Sequence, residues 1–147
     1  MSDRSFIIYT DGSSRGNPGP AGIGIAVFIK GETQALIEIS KDIGITTNNV
    51  AEYEAVIQAL VWLRKNEYTE AVIKLDSELI YRHITGAYKI RARHLQTQLT
   101  RIRHLLDDGH GIRFVLIPRE ENKRANRLAQ QASKKKRKPA SGTRRLE

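Results

Sequence analysis

Four oxygen-bearing side chains spread along the chain are its candidates for chemistry. They are Asp11, Glu52, Asp76 and Asn126. Hard divalent cations such as Mg²⁺ prefer oxygen ligands, and proteins usually hold them with a few carboxylates together with phosphate oxygens and water. Two such cations about 4 Å apart can activate a water molecule and stabilise a leaving oxygen in phosphodiester hydrolysis. If the fold brings the four side chains together, they form a candidate metal site for cutting nucleic acid.

Each carboxylate also has a structural explanation that needs no ligand. Asp11 precedes the segment GSSRGNPG at 12–19, which suits either close approach to a phosphate or an ordinary hairpin turn. Glu52 lies three residues after Asn49 and could complete a capping box at the start of a helix. Asp76 could cap a helix that begins at Ser77. These explanations leave open why acidic residues occupy the ends of two central strands and the start of the helix between them.

The spacing of apolar residues predicts the element order βββαβααβα. Strands are expected at 5–10, 21–30, 33–40, 71–75 and 112–117, and helices at 49–65, 77–85, 93–107 and 120–135. This order predicts an α/β fold in which three antiparallel strands and then βα units form a mixed five-stranded sheet flanked by helices. Ligands collect at the strand ends of such sheets.

Composition limits the class of protein. With 147 residues and 39% hydrophobic content, we expect a single domain at 1–133, and the absence of cysteine excludes disulfides and thiolate metal sites. No stretch is apolar enough to span a membrane, so we expect a cytoplasmic protein and, by default, a monomer. Seven of the Lys and Arg residues fall at 134–147 beside one Glu. This basic tail predicts either non-specific contact with phosphates or simple solvation.

The histidines and the tryptophan do not join the candidate site. His83, His94, His104 and His110 show no ligand spacing and are expected at the surface or its boundary. Trp62 falls within the first predicted helix, where a core position is favoured over a base-stacking platform.

Four segments, in this order, resemble type 1 ribonuclease H across residues 5–133. They are TDGSSRGNPGPAGIG around Asp11, TTNNVAEYEAVIQAL around Glu52, LDSELI around Asp76 and IPREENKRANRLAQQA around Asn126. Arg119 stands where many relatives place a histidine, and 86–95 is too short for the basic protrusion of some bacterial members. Both features resemble the archaeal-like branch of the family. We therefore expect affinity for the family's substrate, an RNA/DNA hybrid, to depend on Lys89, Arg91, Arg93 and the tail.

The resemblance implies an endoribonuclease that cuts the RNA strand of RNA/DNA hybrids, leaving 5′-phosphate and 3′-hydroxyl ends, with two Mg²⁺ or Mn²⁺ ions per site. It implies metal binding by Asp11, Glu52, Asp76 and Asn126, with Asp11 bridging both ions, and places Arg119 near the scissile phosphate. RNA/RNA duplexes are a possible second substrate. The implied substrate-binding residues are Gly12, Ser13, Asn17, Thr47, Asn48, Asn49, Ser77 and Glu78.

Asn126 departs from the family pattern, which has Asp at this position. An amide oxygen can ligate a metal but carries no charge, so the formal charge of the four side chains falls from −4 to −3 and weaker metal binding follows. A natural active variant, an engineered change and a protein that has lost activity are the competing origins. The alternative function is therefore a weakened or inactive module of the same fold that binds hybrid or duplex nucleic acid. Glu78 is a second departure, because relatives often have Gln there.

Overall fold

The computed structural model describes residues 5–87, 89–106 and 110–134. The order of helices and strands is the predicted βββαβααβα, with one added 3₁₀ turn. The strands are β1 (Phe6–Ser14), β2 (Gly19–Ile29), β3 (Ile37–Thr46), β4 (Glu70–Leu75) and β5 (Gly111–Leu116). The helices are α1 (Asn48–Lys65), α2 (Glu78–Ile84), α3 (Arg93–Leu105) and α4 (Lys123–Lys134), and the 3₁₀ turn is Arg119–Glu121.

The five strands form one mixed sheet in the order β3-β2-β1-β4-β5. β1 pairs antiparallel with β2, and β2 pairs antiparallel with β3. β4 lies parallel to β1 on its other side, and β5 lies parallel to β4. The predicted fold class is confirmed: a mixed sheet flanked by helices, whose central strand is β1.

One face of the sheet packs against α1 and forms the main core. Phe6 and Ile8 of β1 point to this face, as does Ile25 of β2, and all three are fully buried. Tyr53 and several apolar residues of α1 cover them. Trp62 packs at this core as expected, with its ring edge-on to Phe6 at 5.6 Å. Because strand side chains alternate between faces, Asp11 points to the opposite face.

The opposite face carries α4, which approaches the backbone of β2 very closely. A Cβ atom at Gly24 would lie 2.1 Å from the Ala125 carbonyl oxygen, and one at Gly22 would lie 2.5 Å from the Ala132 Cβ atom. No side chain fits at either position. The apolar residues that α4 turns towards the sheet are all buried: Ala125, Leu128, Ala129 and Ala132.

Four predicted boundaries differ from the structure by three or more residues. β1 continues beyond residue 10 to Ser14, so Asp11 lies inside a strand and not in a loop. β3 begins at residue 37 and not at 33, and ends at 46 instead of 40. It is an edge strand whose side chains are mostly exposed, and the polar residues Lys41 and Asp42 interrupt the alternation of isoleucines along it. α4 begins at residue 123 because the 3₁₀ turn precedes it.

Among the described residues, none of the helices combines the length and apolar content that crossing a membrane requires. Lys134 closes α4, and the remainder of the basic tail, 135–147, lies outside the described residues.

Candidate active site

Three of the predicted residues converge at the carboxyl ends of two neighbouring parallel strands. Carboxylate oxygens of Asp11, Glu52 and Asp76 all lie within 4.8 Å of one another. Asp11 belongs to the central strand β1, Asp76 directly follows β4, and Glu52 lies in the first turns of α1. The structure therefore brings together side chains that are far apart in sequence.

Gly12 allows Glu52 to approach Asp11. It follows Asp11 in β1 and faces α1, where a Cβ atom would lie 2.3 Å from the Ala51 carbonyl carbon and 2.4 Å from the Glu52 nitrogen. Its backbone N–H also donates to the Glu52 carboxylate. Only glycine permits this contact between a strand and a helix N-terminus, so the structure gives Gly12, predicted as a substrate contact, a packing role as well.

The capping explanations for two of the carboxylates are wrong. α1 is capped by Thr47, whose Oγ1 accepts a hydrogen bond from the Val50 N–H at 3.2 Å, so Glu52 takes no part in a capping box. α2 is capped by the hydroxyl of Ser77 and not by Asp76. Helix capping therefore does not explain why a carboxylate stands at position 52 or at position 76.

Two asparagines of the C-terminal segment donate hydrogen bonds to the cluster. Asn126 Nδ2 donates to Asp11 Oδ2 at 2.8 Å. Asn122, which is fully buried, donates through Nδ2 to Asp76 Oδ2 at 2.7 Å and to the Thr10 carbonyl oxygen at 2.9 Å. Sequence reasoning missed Asn122. The available signal was its position four residues before Asn126, which is the spacing of neighbours on one helix face.

Burial and mutual repulsion shift the carboxyl groups towards protonation. Burial, and then the negative charge of Asp76, raise the pKa of Asp11, while the hydrogen bond from Asn126 opposes this shift. Burial, and then the charge of Asp11, raise the pKa of Glu52 well above its ordinary value. Arg119 compensates little, because its Nη1 lies 4.0 Å from Asp76 Oδ1 and its side chain is 67% exposed. The cluster lacks positive charge.

These residues fit a hard divalent cation. Within the described ranges, Asp11 Oδ1 is buried and has no hydrogen-bond partner, although a buried carboxylate oxygen normally has one. The carboxylates of Asp11, Glu52 and Asp76 offer the oxygen ligands that Mg²⁺ and Mn²⁺ prefer. A bound cation would give the buried oxygen a partner and offset the repulsion that raises the two pKa values.

Asn17 and Asn48, two predicted substrate contacts, form a network beside the end of β1. Asn48 Oδ1 accepts from the Ser14 N–H at 2.9 Å, and Asn17 Oδ1 accepts from the Asn48 N–H at 2.9 Å. Ser14 Oγ donates to the Thr46 carbonyl oxygen at 3.0 Å, which ties the network to β3. Because both amide oxygens bond within the protein, the two exposed side chains offer N–H donors to a ligand.

The remaining predicted substrate residues lie around the same edge of the sheet. Ser13 is half-buried near the end of β1, and Asn49 is half-buried in the first turn of α1. Glu78 is exposed at the start of α2, where its carboxylate pairs with Arg82 at 2.9 Å.

The expectation that all four histidines lie at the surface or its boundary is wrong for His83. This residue is 5% exposed, and its Nδ1 lies 2.6 Å from the Tyr53 hydroxyl. Burial lowers the pKa of His83. His83 therefore belongs to the packing between α1 and α2 and is not part of the carboxylate cluster.

The chain matches the family model described as reverse transcriptase-like over residues 9–132. It is 37% identical over 124 residues to ribonuclease HI of Halobacterium salinarum, which covers 84% of this chain and 62% of that protein. It is also 37% identical over 126 residues to the bifunctional protein Rv2228c of Mycobacterium tuberculosis, covering 86% of this chain and 35% of the relative. The chain thus spans about a third of one curated relative and less than two thirds of the other.

Two solved ribonuclease H structures are matched by this chain over nearly the whole of their own length. LC11-RNase H1, isolated from compost by a metagenomic approach, is 44% identical with a TM-score of 0.81, covering 89% of this chain and 96% of its own. LC11-RNase H1 has also been solved with an RNA/DNA hybrid. The N-terminal RNase H domain of Rv2228c is 36% identical with a TM-score of 0.82, covering 88% of this chain and 98% of its own. The chain therefore belongs to the reverse transcriptase-like family and, within it, to the type 1 ribonuclease H proteins.

Proposed function

We propose that this chain hydrolyses the RNA strand of RNA/DNA hybrids at the Asp11, Glu52 and Asp76 cluster, with Asn126 as the fourth ligand. The observation that carries the proposal is the cluster of three carboxylates, in which a buried oxygen of Asp11 lacks a hydrogen-bond partner. The match to LC11-RNase H1, which binds an RNA/DNA hybrid, supports the choice of substrate.

Asp11, Glu52 and Asp76 would hold the cations through their carboxylate oxygens. Two Mg²⁺ or Mn²⁺ ions bound with substrate would supply Lewis acidity to the phosphodiester and lower the pKa of the attacking water, so that 5′-phosphate and 3′-hydroxyl ends result. Asn122 fixes the orientation of Asp76 through its hydrogen bond. Arg119, which is exposed next to Asp76, would contact the scissile phosphate.

Asn126 gives this site a weaker hold on cations than an aspartate would. Its Nδ2 donates to Asp11, so only its neutral carbonyl oxygen is left to ligate a cation. The amide also adds no negative charge. Cleavage should consequently require a higher cation concentration than in a variant with Asp at this position, and Mn²⁺ should support it better than Mg²⁺.

Hybrid recognition is assigned to the edge of the sheet around the cluster. The N–H donors of Asn17 and Asn48 suit phosphate oxygens and 2′-hydroxyl groups, and a 2′-hydroxyl distinguishes RNA from DNA. The same edge carries the remaining predicted substrate contacts, among them Thr47, Asn49 and Ser77. The basic tail is proposed to add affinity that depends on salt and not on sequence.

The test is cleavage of an end-labelled RNA/DNA hybrid by the chain and by Asn126→Asp, titrated with Mg²⁺ and Mn²⁺. We expect both proteins to cut the RNA strand, with half-maximal rate at a lower cation concentration for Asn126→Asp. Asn66→Asp makes the same change at an exposed residue at the end of α1 and should leave the titration unchanged.

Two results would contradict the proposal. Cleavage that persists in Asp11→Asn would place the chemistry elsewhere. Hybrid binding without cleavage in either cation, with cleavage appearing only in Asn126→Asp, would mean that the chain binds its substrate but is not a working nuclease.

A further inference from the structure

Tyr53 and His83 form a buried polar contact between α1 and α2. The Tyr53 hydroxyl lies 2.6 Å from His83 Nδ1, and the two rings are nearly parallel, at 12°, with centroids 6.1 Å apart. Tyr53 is fully buried, and His83 is 5% exposed. A hydroxyl can donate or accept, so the bond forms with either neutral tautomer of the imidazole. Because a buried polar group is costly unless it is bonded, the pair favours one arrangement of the two helices.

Each partner is joined by a short stretch of chain to a carboxylate of the cluster. Tyr53 directly follows Glu52 in α1, and His83 lies in α2, which begins two residues after Asp76. α2 has seven residues and is therefore about 10 Å long, so it connects Asp76 to His83 as one short rod. The pair thus links the backbone that carries Glu52 to the helix that begins beside Asp76.

Glu52 is the carboxylate of the cluster whose position depends on a helix and not on the sheet. Asp11 lies in β1 and Asp76 directly follows β4, and the parallel pairing of these two strands fixes their spacing. Glu52 is located by the close approach of α1 to Gly12 and by the rotation of α1 about its own axis. Gly12 has no side chain that could interlock with the helix, so the rotation needs a second fixed point.

The Tyr53 hydroxyl supplies that fixed point. Successive residues of an α-helix are about 100° apart around its axis, so anchoring residue 53 in the core also sets the direction in which residue 52 points. Cα atoms lie about 2.3 Å from the axis, so a rotation of about 20° moves each of them by about 0.8 Å. A misplacement of about 1 Å can cost an active site about 100-fold in rate. The position of Glu52 is therefore sensitive to this bond.

We propose that Tyr53 and His83 are positioning residues for cation binding by Glu52. Their hydrogen bond fixes the rotation of α1 relative to α2, and it thereby holds the Glu52 carboxylate at the distance from the other two carboxylates that a shared cation requires. The pair acts through the helix and does not touch the cation. The inference deepens the proposed function, on which its consequence for cleavage rests, whereas cation binding can be measured without nucleic acid.

Four variants separate this role from simple packing. Tyr53→Phe removes the hydroxyl and keeps the ring in the core. His83→Leu removes the imidazole nitrogen, whereas His83→Gln keeps a hydrogen-bonding group at the same position. Tyr81→Phe is the matched control, because it makes the same change in α2 at a half-buried tyrosine whose hydroxyl has no hydrogen bond within the described part of the chain.

Three quantities are measured for each protein. Isothermal titration calorimetry gives the Kd for Mn²⁺ without nucleic acid. Cleavage of an end-labelled RNA/DNA hybrid gives kcat and KM across Mn²⁺ concentrations. Urea unfolding in EDTA gives the stability of the metal-free protein, which shows whether each variant is folded under the conditions of the other two measurements.

We expect Tyr53→Phe and His83→Leu to weaken Mn²⁺ binding by about three- to tenfold, less than the roughly 10–100-fold typical of losing a residue that is bonded directly to a metal ligand. Their kcat should fall at limiting Mn²⁺ and recover at saturating Mn²⁺, while KM for the hybrid stays unchanged, because contacts to nucleic acid are not altered. His83→Gln should restore Mn²⁺ binding, and Tyr81→Phe should leave it unchanged.

A loss of stability in Tyr53→Phe with unchanged Mn²⁺ affinity would make the pair a packing contact only and overturn the inference. If Tyr53→Phe does not fold, equal Mn²⁺ affinities for His83→Gln and His83→Leu would overturn it instead. A chain whose Mn²⁺ affinity depends on Tyr53 but that never cuts the hybrid would uphold the inference and refute the proposed function. A chain that neither binds Mn²⁺ nor cuts the hybrid would overturn both.

Discussion

The two helices that meet Asp11 contribute opposite chemistry. α1 brings Glu52, whose carboxyl group lies beside Asp11 and carries a pKa raised well above its ordinary value. The α4 side, by which we mean α4 and the turn before it, brings Asn126 and Asn122, whose amides donate to Asp11 and Asp76. On the α1 side, Asp11 faces a carboxyl group that repels it. On the α4 side, amide groups donate hydrogen bonds to the cluster.

The difference indicates which part of the site depends on a cation. On the α4 side, Asp11 Oδ2 and Asp76 Oδ2 already accept hydrogen bonds from the two asparagines, so the geometry there should persist without metal. The α1 side leaves Asp11 Oδ1 without a partner and holds two carboxyl groups close together. A cation should therefore stabilise the α1 side more than the α4 side. Without metal, loss of a donor on the α4 side should destabilise the protein, whereas loss of the Asp11 charge should stabilise it.

Asn122→Ala should have the largest effect on stability. It removes the donor to two buried oxygens, Asp76 Oδ2 and the Thr10 carbonyl, and each unsatisfied buried group costs about 1–3 kcal/mol. Cleavage should also fall by roughly 10–100-fold, as when a residue that orients a metal ligand is lost. Urea unfolding and cleavage rates test this, with Asn66→Ala as the exposed control. A change as small as that of the control would mean that the α4 side contributes little.

Asn126→Asp should come next, with a loss of about 1.5 kcal/mol at neutral pH in EDTA, because a hydrogen bond to a charged group is replaced by repulsion. The sign of its pH dependence follows from Asp11, whose folded-state pKa is already above 3.8 and rises further in this variant. Stability is therefore recovered as pH falls through that raised pKa towards 3.8, and is lost as pH rises. Thermal unfolding across pH measures it, and added Mn²⁺ should reverse the deficit.

Asp11→Asn should stabilise the metal-free protein by about 1 kcal/mol, because it removes a buried charge that repels Glu52 and Asp76. The melting temperature should rise by about 2–4 °C. Asp76→Asn should give a smaller rise, because it relieves the repulsion of Asp11 but also weakens the hydrogen bond that charged Asp76 accepts from Asn122. Calorimetry in EDTA compares the two variants, both of which should lose cleavage. Equal shifts in melting temperature would remove the distinction between the two sides.

Arg119→Gln should have the smallest effect on stability, within about 0.5 kcal/mol, because its ion pair with Asp76 is long and exposed. Its cleavage rate should fall even so, if the guanidinium contacts the scissile phosphate. A stability loss as large as that of Asn122→Ala would show that Arg119 supports Asp76 structurally.

Sequence reasoning predicted the fold well where apolar periodicity was strong, as in α1 and the buried strands. It failed at β3, because an exposed edge strand does not require apolar alternation along its whole length. It also failed at the end of β1, where turn-forming residues predicted a turn but Asp11 and Gly12 continue the strand. The three carboxylates were found because their residue types and motifs are distinctive. Asn122 was missed because its spacing from Asn126 is a weak signal, and its role depends on a contact with Asp76, which lies 46 residues away in the sequence.

The contact between α4 and the sheet has a consequence for how this site can vary. The helix is held at Gly22 and Gly24 by backbone atoms and small alanine side chains, and none of these contacts involves the side chain at position 126. The residue there can change from acid to amide without altering how the helix attaches. The affinity of the proposed site for cations can therefore change by a single substitution while the architecture stays constant.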